Sequence, residues 1–466
     1  IAIDDGSFAA EHDLGAGPIL SVTGAVFENN STEDQWGGAL YLHDVETEFT
    51  DCTFTGNNAT IGGAIRCYRR TTTLTNCDFT DNFARVEADG EGSGFGGAIS
   101  SDESNIHATN CTFSANDAQV GSGGGVYLTE ADHSFTDCEF LSNTAQASGG
   151  GVYLHQSTSQ LLDCTFTGNT ANDHDGGGVY CIYSSSNITN CTIAENTVGD
   201  DGGGIFFHDS SGSVSGCTIT GNNSTNATGH GYGAGITCAY GSNPTITNCT
   251  ISNNSGSSDG GGIACFEGSD ADITDSLITG NTASAHDGGG IYCEDSSPTI
   301  TNCEITGNSA SDDGAGIYCE SSNASISGCT ITGNINSNTY NHSNGSGVFC
   351  AYGGSSTIAG CTISGNSGSE DGGAIGVWEG SHIELSACTI TGNTCNSGET
   401  VWNPTSKPGT LSIGASTICD NGTTGGDSTY PISGDWTDLG DNCISIVCDS
   451  DGDSTPDCID GCPDDP

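Results

Sequence analysis

Apolar and polar residues alternate in short runs along most of the chain. Ile291 and Cys293 flank Tyr292 in one such run, and Cys303 and Ile305 lie on one side of the next. A period of two predicts half-buried β-strands. Gly, Asn and Ser clusters separate the runs, and no stretch has the 3.6-residue period of an amphipathic helix. The pattern therefore predicts an all-β protein with almost no helix.

The runs belong to a repeat of about 27 residues, built from Cys-Thr-Ile/Phe-x-x-Asn and Gly-Gly-Gly/Ala-Ile/Val. The Asn that closes the first half occurs fifteen times, at Asn30, Asn57, Asn82, Asn116, Asn143, Asn169, Asn196, Asn222, Asn254, Asn281, Asn308, Asn334, Asn366, Asn393 and Asn421. One copy cannot bury its own inward residues, so the copies must stack in register. The sequence predicts a single-stranded right-handed parallel β-helix (solenoid) of about 15 rungs with terminal caps, in which the Asn side chains form a hydrogen-bonded ladder.

The repeat divides the chain into four expected segments. These are an N-terminal cap at 1–24, the β-helix repeats at 25–422, a C-terminal cap at 423–448 and a calcium-binding segment at 449–466. Enlarged turns at 83–95, 223–232 and 335–344 interrupt the repeats. A binding function is expected on such loops, because the stacked strands constrain the other residues. Insertions that are merely tolerated at a turn are the alternative.

Two short motifs carry a family resemblance. Phe54–Asn57 and Phe166–Asn169 read Phe-x-x-Asn, and 62–65 reads Gly-Gly-Ala-Ile. The pair resembles the repeats of the chlamydial polymorphic outer-membrane proteins and, more loosely, the right-handed β-helix family that includes polysaccharide lyases. The resemblance is closest in the N-terminal third, since Ile replaces Phe from Ile193 onward. It implies a β-helix of the cell surface.

Charge and composition restrict the classes of partner that the chain can bind and the cellular compartment in which it is expected. The chain has 5 Lys and Arg against 59 Asp and Glu, a formal net charge of −54. Such a field repels nucleic acid, anionic lipid and anionic polysaccharide, whereas cations and neutral glycans stay open as partners. The chain has no long apolar segment, contains 25 Cys and no Met, and begins at Ile1. We therefore expect a secreted or cell-surface protein whose signal peptide has been removed, without membrane insertion.

The cysteines form two columns, one at the start of Cys-Thr-Ile/Phe and one after Gly-Ile-Tyr. Six pairs are 10 or 11 residues apart, and disulfides are predicted across that turn in Cys67/Cys77, Cys181/Cys191, Cys238/Cys249, Cys293/Cys303, Cys319/Cys329 and Cys350/Cys361. The columns do not covary, because Cys265 meets Ser276. Cys as a small apolar filler is the alternative.

The C-terminal run from Asp449 to Pro463 resembles a thrombospondin type 3 calcium repeat. Oxygen ligands at alternating positions suit Ca²⁺. The expected ligands are the carboxylates of Asp449, Asp451, Asp453, Asp457 and Asp460 and the backbone carbonyl of Thr455. Calcium is thus the expected cofactor, and an acidic disordered tail is the alternative.

A second set of carboxylates precedes the Gly runs, at Asp175, Asp201, Asp259, Asp287, Asp313 and Asp371. Neighbouring rungs would place these about 5 Å apart. Bound cations at Asp175/Asp201 and at Asp259/Asp287/Asp313 would relieve the repulsion. Carboxylates that are simply solvated are the alternative.

The sequence contains few combinations of residues that could form a catalytic site. A β-helix lyase needs a base and cationic side chains, yet the only cations are Arg66, Arg69, Arg70, Arg85 and Lys407. The first three are interpreted as charge balance. A polygalacturonase-like set would combine Asp200-Asp201 with Gly229-His230-Gly231, but its Arg-x-Lys is missing. The expectation is a chain without catalytic residues.

Together these features predict a structural or adhesive β-helix protein. A more specific version of this prediction is that copies of the chain stack head to tail into an extracellular homopolymer. The alternative is a polysaccharide-active enzyme or a glycan-binding module. An outward column of tyrosines could stack sugars or pair along the stack, at Tyr127, Tyr153, Tyr180, Tyr292 and Tyr318.

Overall fold

The computed structural model describes residues 2–4, 19–32, 36–86, 94–226, 231–337, 344–369, 371–396, 399–404, 408–419, 421–423, 432 and 434–444. The chain divides into two compact units, unit 1 at Ile1–Asn226 and unit 2 at Ala227–Pro466. Each unit is a right-handed parallel β-solenoid, and the two together have about 14 turns. The described residues form strands, turns and bends and contain no helix, so none of them forms a helix that could cross a membrane. The predicted fold class is confirmed.

Each turn contributes one short strand to each of four parallel sheets. Sheet 1 follows the Gly run, sheet 3 follows the Cys, sheet 4 follows the Asn, and sheet 2 lies between sheets 1 and 3 along the chain. In unit 1 sheet 1 contains Ala2–Asp4, Leu40–His43, Ile65–Tyr68, Ile99–Asp102, Val126–Thr129, Val152–His155, Val179–Ile182 and Ile205–His208. Sheet 2 contains Leu20–Thr23, Thr47–Thr50, Thr72–Thr75, Ile106–Thr109, Ser134–Thr136, Gln160–Leu162, Ser185–Thr189 and Ser211–Ser215. Sheet 3 contains Val26–Glu28, Thr53–Thr55, Asp78–Thr80, Thr112–Ser114, Glu139–Leu141, Thr165–Thr167, Thr192–Ala194 and Thr218–Thr220. Sheet 4 contains Asn58–Ala59, Phe83–Ala84, Asp117–Ala118, Thr144–Ala145, Thr170–Ala171, Thr197–Val198 and Asn223–Ser224.

Unit 2 repeats this order of sheets. Its sheet 1 contains Ile236–Ala239, Ile263–Cys265, Ile291–Glu294, Ile317–Glu320, Val348–Ala351, Ile375–Val377 and Val401–Trp402. Sheet 2 contains Thr245–Thr247, Asp272–Thr274, Thr299–Thr301, Ser325–Ser327, Ser355–Ala359, His382–Ser386, Thr410–Gly414 and Trp436–Gly440. Sheet 3 contains Thr250–Ser252, Leu277–Thr279, Glu304–Thr306, Thr330–Thr332, Thr362–Ser364, Thr389–Thr391, Thr417–Cys419 and Cys443–Ile444. Sheet 4 contains Ser255–Gly256, Thr282–Ala283, Ser309–Ala310, Ile335–Asn336, Ser367–Gly368, Thr394–Cys395 and Gly422–Thr423.

The sheets extend into both segments that the sequence assigns to caps. Leu20–Thr23 pairs with Thr47–Thr50, within the expected N-terminal cap. Trp436–Gly440 pairs with Thr410–Gly414, within the expected C-terminal cap. Parallel strand pairing therefore continues beyond the residues that carry the full repeat motif, with a shift of register between Ile413 and Gly414 in the C-terminal pair.

The interior of each unit is made of columns of like residues. In unit 1 the Phe residues of sheet 3 stack face to face, with ring centroids 4.6 Å apart for Phe54 and Phe79 and 4.8 Å apart for Phe140 and Phe166. In unit 2 the same position holds Ile, as in the pair Ile305 and Ile331, both fully buried. The alternation predicted from sequence is confirmed, because the residues between these inward positions face outward.

The Asn ladder is confirmed in both units. The Nδ2 of Asn143 donates to Oδ1 of Asn169 at 2.9 Å, and the Nδ2 of Asn169 donates to Oδ1 of Asn196 at 2.9 Å. The same Nδ2 of Asn169 also donates to the carbonyl of Phe140, and Oδ1 accepts from the backbone N–H of Asn143. Each buried amide thus satisfies the backbone at the turn between sheets 3 and 4.

The six predicted disulfides are wrong. The cysteines of all six pairs are free, buried thiols. Cys67 contacts Oγ1 of Thr72 at 3.4 Å, whereas the thiol of Cys77 donates to the carbonyls of Phe49 and Thr75. The thiols of Cys67 and Cys77 thus have different neighbours. Burial raises the pKa of Cys67 to about 11, which keeps it an unreactive thiol. Cys419 and Cys443, outside these pairs, are disulfide-bonded.

Candidate functional site

An aromatic column follows the outward face of sheet 1. In unit 2 the ring of Tyr318 lies between the rings of Tyr292 and Phe349, at centroid distances of 5.6 and 5.7 Å. Tyr318 is only 2% exposed, because its two faces are covered by its neighbours. In unit 1 Tyr153 and Tyr180 stack at 5.1 Å. Pairing along the stack, one of the two alternatives for the tyrosines, is confirmed.

The column of unit 2 is interrupted at Gly376, which is paired with Phe349 on one side and Trp402 on the other. A Cβ at Gly376 would overlap the Phe349 ring, so that ring occupies the space of the missing side chain. Trp378, two residues later, stacks on Trp402 with centroids 5.2 Å apart. The rings of Phe349 and Trp402 lie nearly parallel across Gly376, with centroids 6.5 Å apart.

Carboxylates form a second column beside the aromatic one. Oδ1 of Asp259 accepts from the backbone N–H of Asp287 at 2.7 Å, and Oδ1 of Asp287 accepts from that of Asp313 at 2.6 Å. Oδ1 of Asp313 accepts in turn from the backbone N–H of Asn344 at 2.6 Å. The predicted alignment of these aspartates in neighbouring turns is confirmed. Each carboxylate also satisfies a backbone donor of the next turn.

The two columns meet in a cavity of about 300 Å³, which we call the unit 2 pocket. Its lining consists of Asp287, Asp312, Asp313, Tyr318, Asn344, Phe349, Ala351, Tyr352 and Trp378. The enlarged turn at 335–344 ends at this pocket. Sequence reasoning selected Asp287, Asp313 and Tyr318 and included Asn344 in an enlarged turn expected to bind, but it assigned no site to the other lining residues. A signal for Trp378 exists, since it follows Gly376, where the column of aromatic residues in the sequence is interrupted.

Polar and aromatic groups in the pocket have distinct environments. Tyr352 is 53% exposed in a left-handed turn with φ of 58°. Asn344 is 4% exposed, and its side-chain amide makes no hydrogen bond to any described residue. The pocket thus offers one open aromatic face and one buried amide whose donors and acceptor are available to a ligand.

Burial controls the protonation of the pocket. It raises the pKa of Asp287 well above its ordinary value, and the negative charges of Asp313, Asp259 and Asp312 raise it further. Burial, followed by the Asp287 charge, likewise raises the pKa of Tyr318. Burial and the neighbouring carboxylates therefore both favour the protonated form of Asp287.

Unit 1 has a related acidic cluster. Asp175, Asp200 and Asp201 each offer one carboxylate oxygen within 4.8 Å of the others. The backbone N–H of Asp201 donates to Oδ1 of Asp175 at 3.3 Å. Three oxygen ligands at this spacing are compatible with a hard cation. A cation at Asp175/Asp201, now with Asp200 included, stays a prediction.

The stability of unit 1 should depend on pH through Asp175. Burial, followed by the Asp200 charge, raises the pKa of Asp175 to about 7. An unfolded aspartate titrates near about 3.9, so this group stabilises the fold fully below that value and loses its contribution as the pH rises to about 7. We expect the Tm, followed by calorimetry without divalent cations, to decline less between about pH 4 and about pH 7 in Asp175→Asn than in the wild type. The exposed control Asp173→Asn should follow the wild type; parallel curves for all three proteins would contradict the prediction.

The positions of Arg66 and Arg69 agree with the interpretation, made from the sequence, that these arginines balance nearby negative charge. Arg66 pairs with Asp102 at 3.1 Å, and Arg69 pairs with Glu103 at 3.4 Å while lying over the ring of Tyr68. Acidic partners thus occupy the two guanidinium groups.

Several sequence-predicted residues fall outside the described part of the chain. They are the calcium ligands Asp449, Asp451, Asp453, Thr455, Asp457 and Asp460, together with His230 and Lys407. The thrombospondin-like calcium repeat stays a prediction, as does calcium as a cofactor.

Comparison with known proteins identifies the type of repeat. A family model described as "Right handed beta helix region" matches residues 15–161, 124–297, 225–337 and 288–425. Among solved structures, the chain is similar to tailspike protein 3 of bacteriophage CBA120 at 13% identity and a TM-score of 0.42, covering 82% of this chain and 59% of that one. It is also similar to the Dettilon tailspike protein at 14% identity and a TM-score of 0.25, covering 68% and 63%. The chain thus spans less than two thirds of either tailspike. No relative was found among curated protein sequences.

The expectation of a chain without catalytic residues is wrong as a firm exclusion. The unit 2 pocket brings the carboxyl groups of Asp287, Asp312 and Asp313 onto one cavity. The sequence argument rested on the scarcity of Lys and Arg. The only carboxylate set it weighed was Asp200-Asp201, and it did not consider carboxylates from separate turns that meet only in the fold.

Proposed function

The chain belongs to the right-handed β-helix family, and from this premise we propose that it is a secreted or cell-surface protein that binds a neutral glycan in the unit 2 pocket. The observation that carries the proposal is the lining itself. Asp287, Asp312 and Asp313 lie on the same cavity as Phe349, Tyr352 and Trp378. Carboxylates accept hydrogen bonds from sugar hydroxyls, and aromatic faces pack against the C–H groups of a pyranose ring.

Charge selects the kind of glycan. A net charge of −54 and a pocket without Lys or Arg repel polyuronates and sulfated polymers. Neutral polysaccharides pay no such electrostatic cost. The buried amide of Asn344 adds a donor that can fix the orientation of a hydroxyl. An adhesive role follows directly if the glycan is part of a cell surface. Head-to-tail assembly into a filament stays a prediction that the pocket does not require.

Tyr352→Ala is expected to weaken glycan binding at least about tenfold, because the ring supplies the open aromatic face of the pocket. The chain contains a matched control. Tyr240 has the same φ of 58° and is 48% exposed, and it follows Cys-Ala as Tyr352 does, but it does not line the pocket. Tyr240→Ala should bind like the wild type.

Binding would be measured by calorimetry against a panel of neutral glucan, mannan, galactan and xylan oligosaccharides, with an oligouronate as the negative ligand. Tight binding of the oligouronate by the wild type, or equal losses in the two tyrosine variants, would contradict the proposal. Failure of every neutral glycan to bind would remove it.

A further inference from the structure

We propose that His133 is an acid-sensitive switch in unit 1, because its place in the fold accepts only the neutral imidazole. His133 directly precedes the sheet 2 strand Ser134–Thr136 and is 2% exposed. Among the histidines that the structure describes, it alone is buried. Acid can therefore charge this ring only if the turns around it open. The switch lies in unit 1 and acts independently of the unit 2 pocket.

The hydrogen bond of the ring requires the neutral form. Nδ1 of His133 accepts from the backbone N–H of Ile106, in the preceding turn, at 3.2 Å. A ring nitrogen accepts only when it carries no proton, so the proton of the neutral ring lies on Nε2. Protonation would place a hydrogen on Nδ1, where it would point at the Ile106 N–H. That buried backbone donor would then lose its acceptor.

The opposite nitrogen gives a charged ring no support either. Nε2 of His133 is buried and makes no hydrogen bond to a described residue. An imidazolium has two N–H donors and a positive charge, and a buried charge is costly unless it is paired and hydrogen-bonded. Both nitrogens of a charged His133 would lack an acceptor among the described residues. The geometry thus disfavours the charged ring at both of its ends.

The titratable groups around His133 do not stabilise a charge on it. His107, in the preceding turn of sheet 2, has its Nδ1 2.7 Å from Oγ of Ser134, and its own positive charge opposes one on His133. Burial, followed by the His107 charge, lowers the pKa of His133 to about 3. The carboxylates of the turns between sheets 1 and 2 are exposed, at Glu103, Glu130 and Asp132.

The buried titratable groups of the same turns are thiols that start the sheet 3 strands, at Cys111, Cys138 and Cys164. Their hydrogen bonds to one another, together with burial, raise the pKa of each to about 12. They are therefore uncharged over the acidic range and offer His133 no counter-ion.

The lowered pKa fixes the direction of the pH effect. An unfolded histidine titrates near about 6.5, so above that value His133 is neutral in both states and the fold keeps its full stability. As the pH falls from about 6.5 towards about 3, the unfolded chain takes up a proton that the folded chain does not, and stability is lost. Asp175 acts in the opposite direction over an overlapping range. The effect of His133 is therefore measured as a difference between proteins.

His133→Asn removes the titration but keeps an acceptor, because Oδ1 of asparagine can take the place of Nδ1. Hydrogen–deuterium exchange of the full chain, corrected for the intrinsic effect of pH, gives the equilibrium constant for opening of the turns at 99–141. Between about pH 7 and about pH 4.5 this constant should rise at least about 30-fold more in the wild type than in His133→Asn. His107→Asn is the matched control, since its ring is only half-buried, and it should follow the wild type.

Equal changes in the wild type and in His133→Asn would overturn the switch, and so would loss of the effect in His107→Asn. Nuclear magnetic resonance of the wild type with isotope-labelled histidine needs no variant, and it decides if His133→Asn does not fold. At about pH 5 the ring of His133 in the folded chain should be neutral, with its proton on Nε2. A charged ring in the folded chain at that pH, or a neutral ring with its proton on Nδ1, would contradict the proposal.

Discussion

Replacing Asn169 with alanine is expected to lower the free energy of unfolding of unit 1 by about 3 kcal/mol or more. The side chain makes hydrogen bonds to three neighbouring residues. Its Oδ1 accepts from the backbone and side-chain amides of Asn143, and its Nδ2 donates to Phe140 and Asn196. Alanine leaves these partners buried and unsatisfied, and an unsatisfied buried group costs about 1–3 kcal/mol. Chemical denaturation followed by circular dichroism gives the difference.

Two further variants separate the ladder from simple loss of an amide. Asn172→Ala removes an exposed amide whose Nδ2 donates to Gln146 at 3.3 Å, and it should cost less than about 0.5 kcal/mol. Asn169→Asp keeps the shape but cannot donate to Phe140 or Asn196, and it buries a charge, so it should be as damaging as alanine. Equal stability of Asn169→Ala and Asn172→Ala would contradict a structural role for the ladder.

The sequence predicts the fold because the same residue pattern recurs in every turn. Phe140, Asn143 and Gly150 each occupy a position that recurs in neighbouring turns, so periodicity alone places them in the core, the ladder and the turn. In-register stacking then follows from burial, since an inward residue can be covered only by its equivalents above and below. In a repeat protein, the position of a residue within the repeat therefore also predicts which residues it contacts in the neighbouring turns.

The same reasoning fails where residues depart from the repeat. Asp287 belongs to the aspartates that recur before the Gly runs, whereas Asn344 and Trp378 share no motif with it, yet all three line the unit 2 pocket. Their meeting depends on the missing side chain at Gly376 and on where the enlarged turn ends. The disulfide prediction failed for a related reason. Spacing placed Cys67 and Cys77 across one turn, but the direction in which each thiol points is set by packing against Thr72 and Phe49.

Gly177→Ala should strongly destabilise unit 1. Gly177 is the middle residue of a Gly run, and a Cβ there would overlap the carbonyl oxygen of Gly203 and lie 2.8 Å from that of Thr197. These are backbone atoms of the next turn, so no side-chain rotation can relieve the overlap. Moving one backbone breaks the register on which the stacked turns depend, and we expect a loss of at least about 3 kcal/mol.

The control is a glycine with room around it. Gly168 has φ of +66°, and its nearest neighbour to an added Cβ is Oγ of Ser142 at 3.5 Å, so Gly168→Ala carries only backbone strain of about 1–2 kcal/mol. In unit 2 an alanine, Ala315, already occupies the middle position of one Gly run, where it is buried with Ala283 and Ala310. A Cβ is therefore tolerated at that position in some turns. Thermal unfolding and limited proteolysis should therefore rank wild type above Gly168→Ala and Gly168→Ala above Gly177→Ala. The reverse order of the two variants would show that left-handed turn geometry, rather than close approach of neighbouring backbones, requires the glycine repeat.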